Sequence, residues 1–144
     1  ERAQHLESVE VGRFDFLYAI SVVSHLNERN TEAFLRLVGD ALVVGGIALF
    51  TTHGEWSLEH AELYGPEYAE VADALAAEIG AVGIAYRRYP YTSDDYGMTW
   101  HSREFIETTM SRLHDGTVVP LMFEPHGLDG HQDVYAFRRV APAR

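Results

Sequence analysis

The sequence contains no cysteine, no lysine and few positive charges. Without cysteine the chain has neither a disulfide framework nor a thiolate zinc site, which favours a cytoplasmic location. Its 11 basic residues, all arginine, stand against 22 acidic ones, and the resulting negative charge repels phosphate backbones, so no nucleic acid is expected as a partner. The apolar runs, such as residues 47–50, are too short to span a bilayer, so no membrane is expected either.

The length and composition of the chain suit one compact domain with a real core, because 47% of its 144 residues are hydrophobic. No repeat, low-complexity tract or linker divides it, so residues 1–144 are predicted to form a single domain. Residues 1–13 are polar and charged, which indicates a mobile lead-in. The chain opens on Glu1, with no signal-like apolar segment, so we expect this first residue to reflect processing, proteolysis or a cloning boundary.

The first third of the chain has the pattern of strand, loop, helix and strand. Residues 14–20 are nearly all apolar, as in a strand buried on both faces of a parallel sheet. Asn27 or Asn30 is predicted to cap the next helix, and Gly45-Gly46 to end it and turn the chain into a strand over residues 47–52. The apolar positions of this helix have helical spacing: Phe34, Val38, Ala41 and Leu42. Two strands joined through a helix imply a parallel pair.

The remaining residues predict further helices and a terminal hairpin. The predicted elements are a short helix over residues 57–64, a clearer helix from Pro66, an extended segment over residues 84–91, and a helix capped by Ser102. The clearer helix has its apolar face at Tyr68, Val71, Ala72, Leu75 and Ile79. Two final strands, over residues 117–123 and 134–140, are joined without a helix, which favours an antiparallel pair. The predicted fold class is α/β, with parallel strands, a terminal antiparallel hairpin and helices on the sheet faces.

The order of these elements resembles the class I S-adenosylmethionine-dependent methyltransferases. Local features carry the resemblance: the strand and loop over residues 15–26, the turn Leu42-Val-Val-Gly-Gly-Ile47, the strand end Leu49-Phe-Thr-Thr-His53, the terminal hairpin, and the Gly-His-Gln-Asp-Val stretch at 130–134. The resemblance covers roughly residues 12–56 and 97–140. It implies a partial Rossmann-like methyltransferase sheet whose strands, starting near residues 14, 47, 117 and 134, look like the last four of the family's seven.

The sequence departs from the family pattern before residue 14. There the family has a strand and a Gly-rich loop for the cofactor, and this sequence has neither; Gly80-Ala-Val-Gly83 follows a helix and is no substitute. The resemblance therefore reaches only the carboxyl-terminal half. It implies S-adenosylmethionine as the cofactor of the complete enzyme and weak or no binding by this chain. A missing neighbour would leave the first strand with a bare edge, so we expect a homo-oligomer or pairing with an amino-terminal half.

The loops after the two parallel strands hold the candidate catalytic residues. Open α/β sheets bind ligands at the carboxyl ends of their strands, which is where His25 and His53 lie in the prediction. An imidazole takes a proton from a hydroxyl or an amine near neutral pH, so both are candidate general bases. The alternative is a histidine that packs against the following helix or loop. The resemblance implies that Ser21 and Val22 lie along the cofactor.

Aromatic and polar side chains near the same edge are candidate substrate contacts: Glu55, Trp56, Tyr96, Trp100, His101 and His131. Several belong to a polar-aromatic cluster that begins at Asp94, inside a long insertion. The 63 residues from Gly54 to Gly116 exceed what a crossover needs, so residues 57–100 are predicted to form a lid-like insertion. An ordinary packed aromatic cluster is the alternative.

The predicted function is that of part of an S-adenosylmethionine-dependent methyltransferase that acts on a small-molecule substrate, the chain by itself being inactive. Two alternatives stay open: a non-catalytic interaction or assembly domain that retains the fold, and a His-liganded metalloprotein, because eight histidines are many for this length. No H-E-x-x-H motif occurs, and His126 and His131 lie in a Gly-containing loop that fixes little geometry, so no metal site is assigned.

Overall fold

The structure, a computed structural model, describes residues 9, 11–92 and 95–142. Most of the predicted lead-in, and Asp94 of the polar-aromatic cluster, lie outside the described residues. The strands are β1 (Phe14–Ala19), β2 (Leu42–His53), β3 (Ile84–Arg88), β4 (Gly97–His101), β5 (Val118–Leu128) and β6 (Gln132–Arg139). The helices are α1 (Glu28–Ala41), α2 (Glu55–Glu59), α3 (Pro66–Ala69), α4 (Ala72–Val82) and α5 (Arg103–Leu113), with 3₁₀ turns at Val23–His25 and Ala61–Tyr64.

Within the described residues, six strands form one sheet in the order β3-β4-β2-β6-β5, and β1 pairs with β2. β1 and β2 are parallel and joined through α1, as the sequence predicts. β6 lies antiparallel between β2 and β5. This arrangement of parallel strands and a terminal antiparallel hairpin confirms the predicted fold class.

The Gly45-Gly46 pair has a different role from the one predicted. α1 ends earlier, at Ala41, because Leu42 already has an extended backbone, and β2 runs through both glycines. The pairing with β1 shifts between Phe14, opposite Leu42, and Phe16, opposite Ile47, so the glycines form a bulge. Gly45 has a φ of +89°, and a Cβ on Gly46 would lie 2.9 Å from the carbonyl oxygen of Phe14.

Both helix caps predicted from the sequence are present. Asn27 accepts a hydrogen bond from the backbone N–H of Asn30 at 2.9 Å, and Ser102 accepts one from the N–H of Phe105 at 3.1 Å. The helix predicted from Pro66 is divided into α3 and α4, since Val71 has a non-helical backbone between them. The loop predicted before the last strand is shorter, because β5 extends to Leu128 and pairs there with Gln132.

The long insertion contributes two strands to the sheet, and the sequence analysis predicted β4 as neither strand nor helix. β3 and β4 pair antiparallel, and Trp100 of β4 pairs with His53 of β2. At His53, β6 pairs with one edge of β2, so β4 pairs with the other edge. This is the edge that β1 occupies earlier along β2, and β4 therefore lies beyond the end of β1. The helical part of the insertion packs on Trp100 in a core cluster of its own, with Leu58, Ala61, Tyr68, Leu75, Ile79, Ala85 and Met98.

The main core lies between the sheet and helices α1 and α5. Phe50 is its centre: its ring stacks on Tyr135 and Phe137 at centroid distances of 5.6 and 5.7 Å and meets Phe34 of α1 edge-on at 5.7 Å. Successive side chains of β1 point to opposite faces of the sheet. Those on the face away from the main core are exposed, with Phe16 at 56% and Tyr18 at 69%. Among the described residues, one face of β1 is thus packed against the main core, and the other is exposed at Phe16 and Tyr18.

Candidate functional site

The 3₁₀ turn after β1 places His25 at the carboxyl edge of the sheet. Its Nδ1 lies 3.0 Å from the carbonyl oxygen of Gly97 and 3.1 Å from the hydroxyl of Tyr89. The ring of Tyr96 lies 5.2 Å from the His25 ring, centroid to centroid. His25 is therefore held by residues of the insertion rather than by its own helix.

His53 is the last residue of β2, and its ring lies 6.3 Å from that of His25 and 6.3 Å from that of His131. The ring of Tyr64 lies 4.7 Å from that of His53 and 6.1 Å from that of His131. The structure thus brings three of the residues singled out by sequence, His25, His53 and His131, to one end of the sheet. The side chain of His53 is only 2% exposed, and its Nδ1 has no hydrogen-bond partner among the described residues.

The charge state of His53 follows from this burial. Desolvation by burial, and then the neighbouring His25 and His131, lower the pKa of His53 to about 3. An imidazole with this pKa is neutral near pH 7 and accepts a proton poorly. The two candidate bases therefore differ in environment: His53 is enclosed, and His25 is half-buried.

Ser21 is tied into a polar network rather than left free. Its backbone is left-handed, with a φ of 54°, and its N–H donates to Thr51 Oγ1 at 2.9 Å. The amide of Gln132 lies against the Ser21 hydroxyl, with Nε2 donating to Oγ at 3.0 Å, and Gln132 Oε1 accepts from Thr51 at 2.6 Å. Gln132 thereby fastens the loop after β1 to the terminal hairpin. Val22, the other residue predicted along the cofactor, is 41% exposed.

Trp56, one of the predicted substrate contacts, lies in α2, the helix that follows His53. Its indole stacks on His60 at 4.1 Å with an angle of 16° between the ring planes, and His126 lies 5.8 Å away. Glu55 begins α2 beside it and is exposed. These side chains, together with the 41% exposed Tyr96, are accessible to a ligand.

The other two predicted contacts from β4, Trp100 and His101, are fully buried and present no surface to a substrate, because β4 is an internal strand rather than part of a lid. Trp100 packs on Tyr68 at a ring distance of 5.4 Å. His101 faces the main core, with Nε2 3.4 Å from Thr31 Oγ1. Burial lowers the pKa of His101 to about 3. Both residues are packed in the interior beside the site and do not line it.

Asp133 is a buried carboxylate that the sequence analysis did not assign to the site. It is 6% exposed, and its Oδ1 accepts from the N–H of His126 at 2.8 Å. Burial raises its pKa above the usual range of an aspartate. A Cβ on Gly54 would clash with Asp133 Oδ2, so any larger residue at position 54 would displace this carboxylate. The Gly-His-Gln-Asp stretch at 130–133 was the signal that could have identified both Gln132 and Asp133.

We searched the described residues for groups that could hold a metal or cradle the cofactor. In the described ranges, no group of three or more His, Asp or Glu side chains converges on a metal position. A Gly-rich cofactor loop joins a strand to a helix, and none of the five described positive-φ glycines, Gly45, Gly65, Gly83, Gly116 and Gly130, lies at such a junction. The described residues therefore include no Gly-rich cradle for S-adenosylmethionine, and a position of Ser21 and Val22 along the cofactor stays a prediction.

Comparison with known proteins finds similarity in fold only. No family model matches the sequence, and no curated protein does. An S-adenosylmethionine-dependent methyltransferase from Clostridium acetobutylicum ATCC 824 matches with a TM-score of 0.57 and 10% identity, over 96% of this chain and 63% of that one. Magnesium protoporphyrin IX methyltransferase from Synechocystis PCC 6803 with bound SAH has a TM-score of 0.54 and 12% identity, over 94% and 49%. A pericyclic reaction enzyme has a TM-score of 0.52 and 6% identity, over 90% and 27%.

This chain accordingly has part of the fold of the class I S-adenosylmethionine-dependent methyltransferases, as the resemblance in sequence implies. It spans less than two thirds of the length of each of these three structures. Among the described residues, none of the helices combines the length and the hydrophobicity that a membrane span requires.

Proposed function

We propose that this chain is the carboxyl-terminal part of an S-adenosylmethionine-dependent methyltransferase that acts on a small-molecule acceptor. One observation carries the proposal: in a methyltransferase fold, the rings of His25 and His53 lie 6.3 Å apart at the carboxyl ends of β1 and β2. Parallel α/β sheets bind their ligands at this edge.

Within this proposal the two histidines have different roles. A general base works best when its pKa lies near the working pH, and the pKa of His53 is lowered to about 3. His25 is therefore the base that removes a proton from the acceptor hydroxyl or amine. His53 stays neutral, and its buried ring packs beneath the site.

The surrounding side chains favour a small organic acceptor. Trp56, Tyr96 and His131 offer ring faces at the rim, and Glu55 adds a carboxylate beside them. A net charge of −11 on the chain disfavours a polyanionic substrate such as RNA. We propose a cytoplasmic location, in keeping with the lack of cysteine.

By itself, the chain is proposed to bind S-adenosylmethionine weakly or not at all, because the described residues lack the glycine cradle. Isothermal calorimetry on the 144-residue chain tests this. A dissociation constant of about 10 μM or tighter, equivalent to about −7 kcal/mol, would contradict it.

Activity is to be tested in a longer protein that includes a Gly-rich cofactor segment. There, His25→Ala is expected to slow transfer of a labelled methyl group while cofactor affinity changes little. Ser111→Ala, at an exposed residue of α5, is the control and leaves the rate unchanged. Equal rates for the two variants would remove His25 from the chemistry.

A second candidate function is that of a non-catalytic interaction domain. The exposed apolar residues of β1 favour it, with Phe14 at 41% and Tyr18 at 69%. The same fold occurs in a pericyclic reaction enzyme, so the fold does not fix the reaction. Thermal-shift assays of the longer protein separate the candidates, because stabilisation by S-adenosylmethionine is expected only of a cofactor-binding protein.

A further inference from the structure

Asp95 and Tyr96, just before β4, and Thr99 within it contact the loop that carries His25. Leu26 forms a bridge with Tyr96, and the side-chain amide of Asn27 donates to Asp95 at 3.0 Å. Thr99 Oγ1 donates to the carbonyl oxygen of Leu26 at 2.7 Å. The two loops are more than 60 residues apart in sequence, and these bonds fix one against the other.

The contacts of His25 define which of its ring nitrogens carries the proton. A carbonyl oxygen only accepts hydrogen bonds, so the 3.0 Å contact to Gly97 requires a proton on Nδ1. The hydroxyl of Tyr89 lies 3.1 Å from the same nitrogen and donates its own proton to Met98 Sδ at 3.9 Å. Its oxygen lone pairs are then available to Nδ1–H.

Tyr89 keeps its proton under all ordinary conditions, because burial raises its pKa to about 12. The Nδ1–H group of His25 thus meets two acceptors, a fixed backbone carbonyl and a phenol oxygen. This arrangement favours the Nδ1–H tautomer over the alternative and leaves the lone pair on Nε2.

We propose that Tyr89 and the carbonyl of Gly97 are positioning groups that hold His25 as the Nδ1–H tautomer and so make Nε2 the proton acceptor. The inference rests on the proposed function, in which His25 is the base. In that step the O–H or N–H bond of the acceptor breaks, its electron pair stays on the acceptor atom, and the proton forms a new bond to Nε2. The imidazolium keeps its Nδ1–H bond to Gly97, which stabilises the charge that develops.

The tautomer is measured directly by long-range proton–nitrogen correlation NMR of isotope-labelled imidazoles in the 144-residue chain. The unsubstituted chain is expected to show His25 with its proton on Nδ1. Tyr89→Phe, which keeps the ring and removes the hydroxyl, is expected to shift the tautomer equilibrium toward Nε2–H by about fivefold, the equivalent of one ordinary hydrogen bond. Tyr91→Phe, in the same turn at a residue 97% exposed, is the control and leaves the equilibrium unchanged.

A predominant Nε2–H tautomer in the unsubstituted chain would overturn the proposal without reference to any variant. So would identical His25 spectra for Tyr89→Phe and Tyr91→Phe. The measurement needs neither cofactor nor acceptor, so its outcome is separate from that of the methyl-transfer assay: loss of the proposed function leaves the tautomer result standing, and the reverse also holds.

Discussion

Two buried histidines make the stability of this chain sensitive to acid. His53 is 2% exposed and His101 fully buried, and burial is the first cause that lowers the pKa of each to about 3. In the unfolded chain both titrate near the usual value of about 6.5. Between about pH 6.5 and pH 3 the unfolded state therefore binds protons that the folded state does not. As the pH is lowered through that window, the free energy of unfolding decreases by about 1.4 kcal/mol per pH unit for each histidine.

This pH dependence can be assigned to one residue. In urea unfolding at several pH values below about 6.5, His101→Phe is expected to reduce the slope of stability against pH by about 1.4 kcal/mol per pH unit, since one titrating group is removed. His126→Gln, at an exposed histidine, is the control. An unchanged slope for His101→Phe would mean that His101 is protonated in the folded chain.

Two helical glycines are expected to respond to alanine with opposite signs. A Cβ on Gly39 of α1 would lie 2.1 Å from Nε2 of His114, a buried ring whose Nε2–H donates to the carbonyl oxygen of Leu35 at 3.1 Å. Gly39→Ala therefore displaces that ring and is expected to cost about 1–3 kcal/mol. Gly80 of α4 has open space where its Cβ would be, so Gly80→Ala is expected to stabilise by about 0.5–1 kcal/mol. A urea midpoint that did not fall for Gly39→Ala would contradict the clash, and one that fell for Gly80→Ala would contradict the open space there.

At the scale of an element, α5 depends on its N-cap. The Ser102 hydroxyl accepts from the N–H of Phe105 at 3.1 Å, and Ser102→Ala is expected to lower the free energy of unfolding by about 1 kcal/mol. Ser111→Ala, at an exposed position inside the same helix, is the control and is expected to be neutral or slightly stabilising. Thermal unfolding followed by circular dichroism measures both. Equal losses would show that the cap contributes no more than any serine of α5.

Elements that depend on local chemistry were predictable from the sequence, and elements that depend on distant partners were not. The caps at Asn27 and Ser102 are local signals, and both are present. β4 has only five residues, and its extended state comes from pairing with β3 and, through Trp100, with β2. The bulge at Gly45-Gly46 exists only because β1 lies alongside, so the pair was taken for a helix stop.

The same division applies to the candidate site. His25 and His53 follow strands, and the shared edge of a parallel sheet was enough to predict that they meet. Tyr89 lies 64 residues from His25, and nothing in its local sequence indicates that contact. Gln132 lies 111 residues from Ser21, and the Gly-His-Gln-Asp stretch marks the residue without indicating its partner. The burial of Trp100 and His101 agrees with the alternative of a packed aromatic cluster, and the sequence could not decide between the two because it did not indicate β4.

At the scale of the whole molecule, the described residues leave one edge of β1 unpaired. Within the described residues β1 pairs only with β2, and Phe16 and Tyr18 expose 56% and 69% of their surface on one face. No lysine or proline guards the strand, and such an edge recruits another strand. We expect the chain to be ordered only in an assembly, either with a copy of itself or with a separate amino-terminal half. Light scattering is expected to give a mass above 16.2 kDa. A folded monomer in dilute solution would contradict this.

Substitution and salt together separate the two kinds of assembly. Phe16→Lys places a charge on the open edge and is expected to weaken association, whereas Leu63→Lys, 65% exposed in a 3₁₀ turn away from β1, is the control. Each copy carries a net charge of −11, so self-association brings like charges together and is expected to strengthen as salt is raised from about 0.05 to 0.5 M. Pairing with a partner of lower charge would gain little from the same salt. A mass that stays at the monomer value at every salt concentration, and rises only when the amino-terminal half is added, would assign the edge of β1 to that half rather than to a second copy.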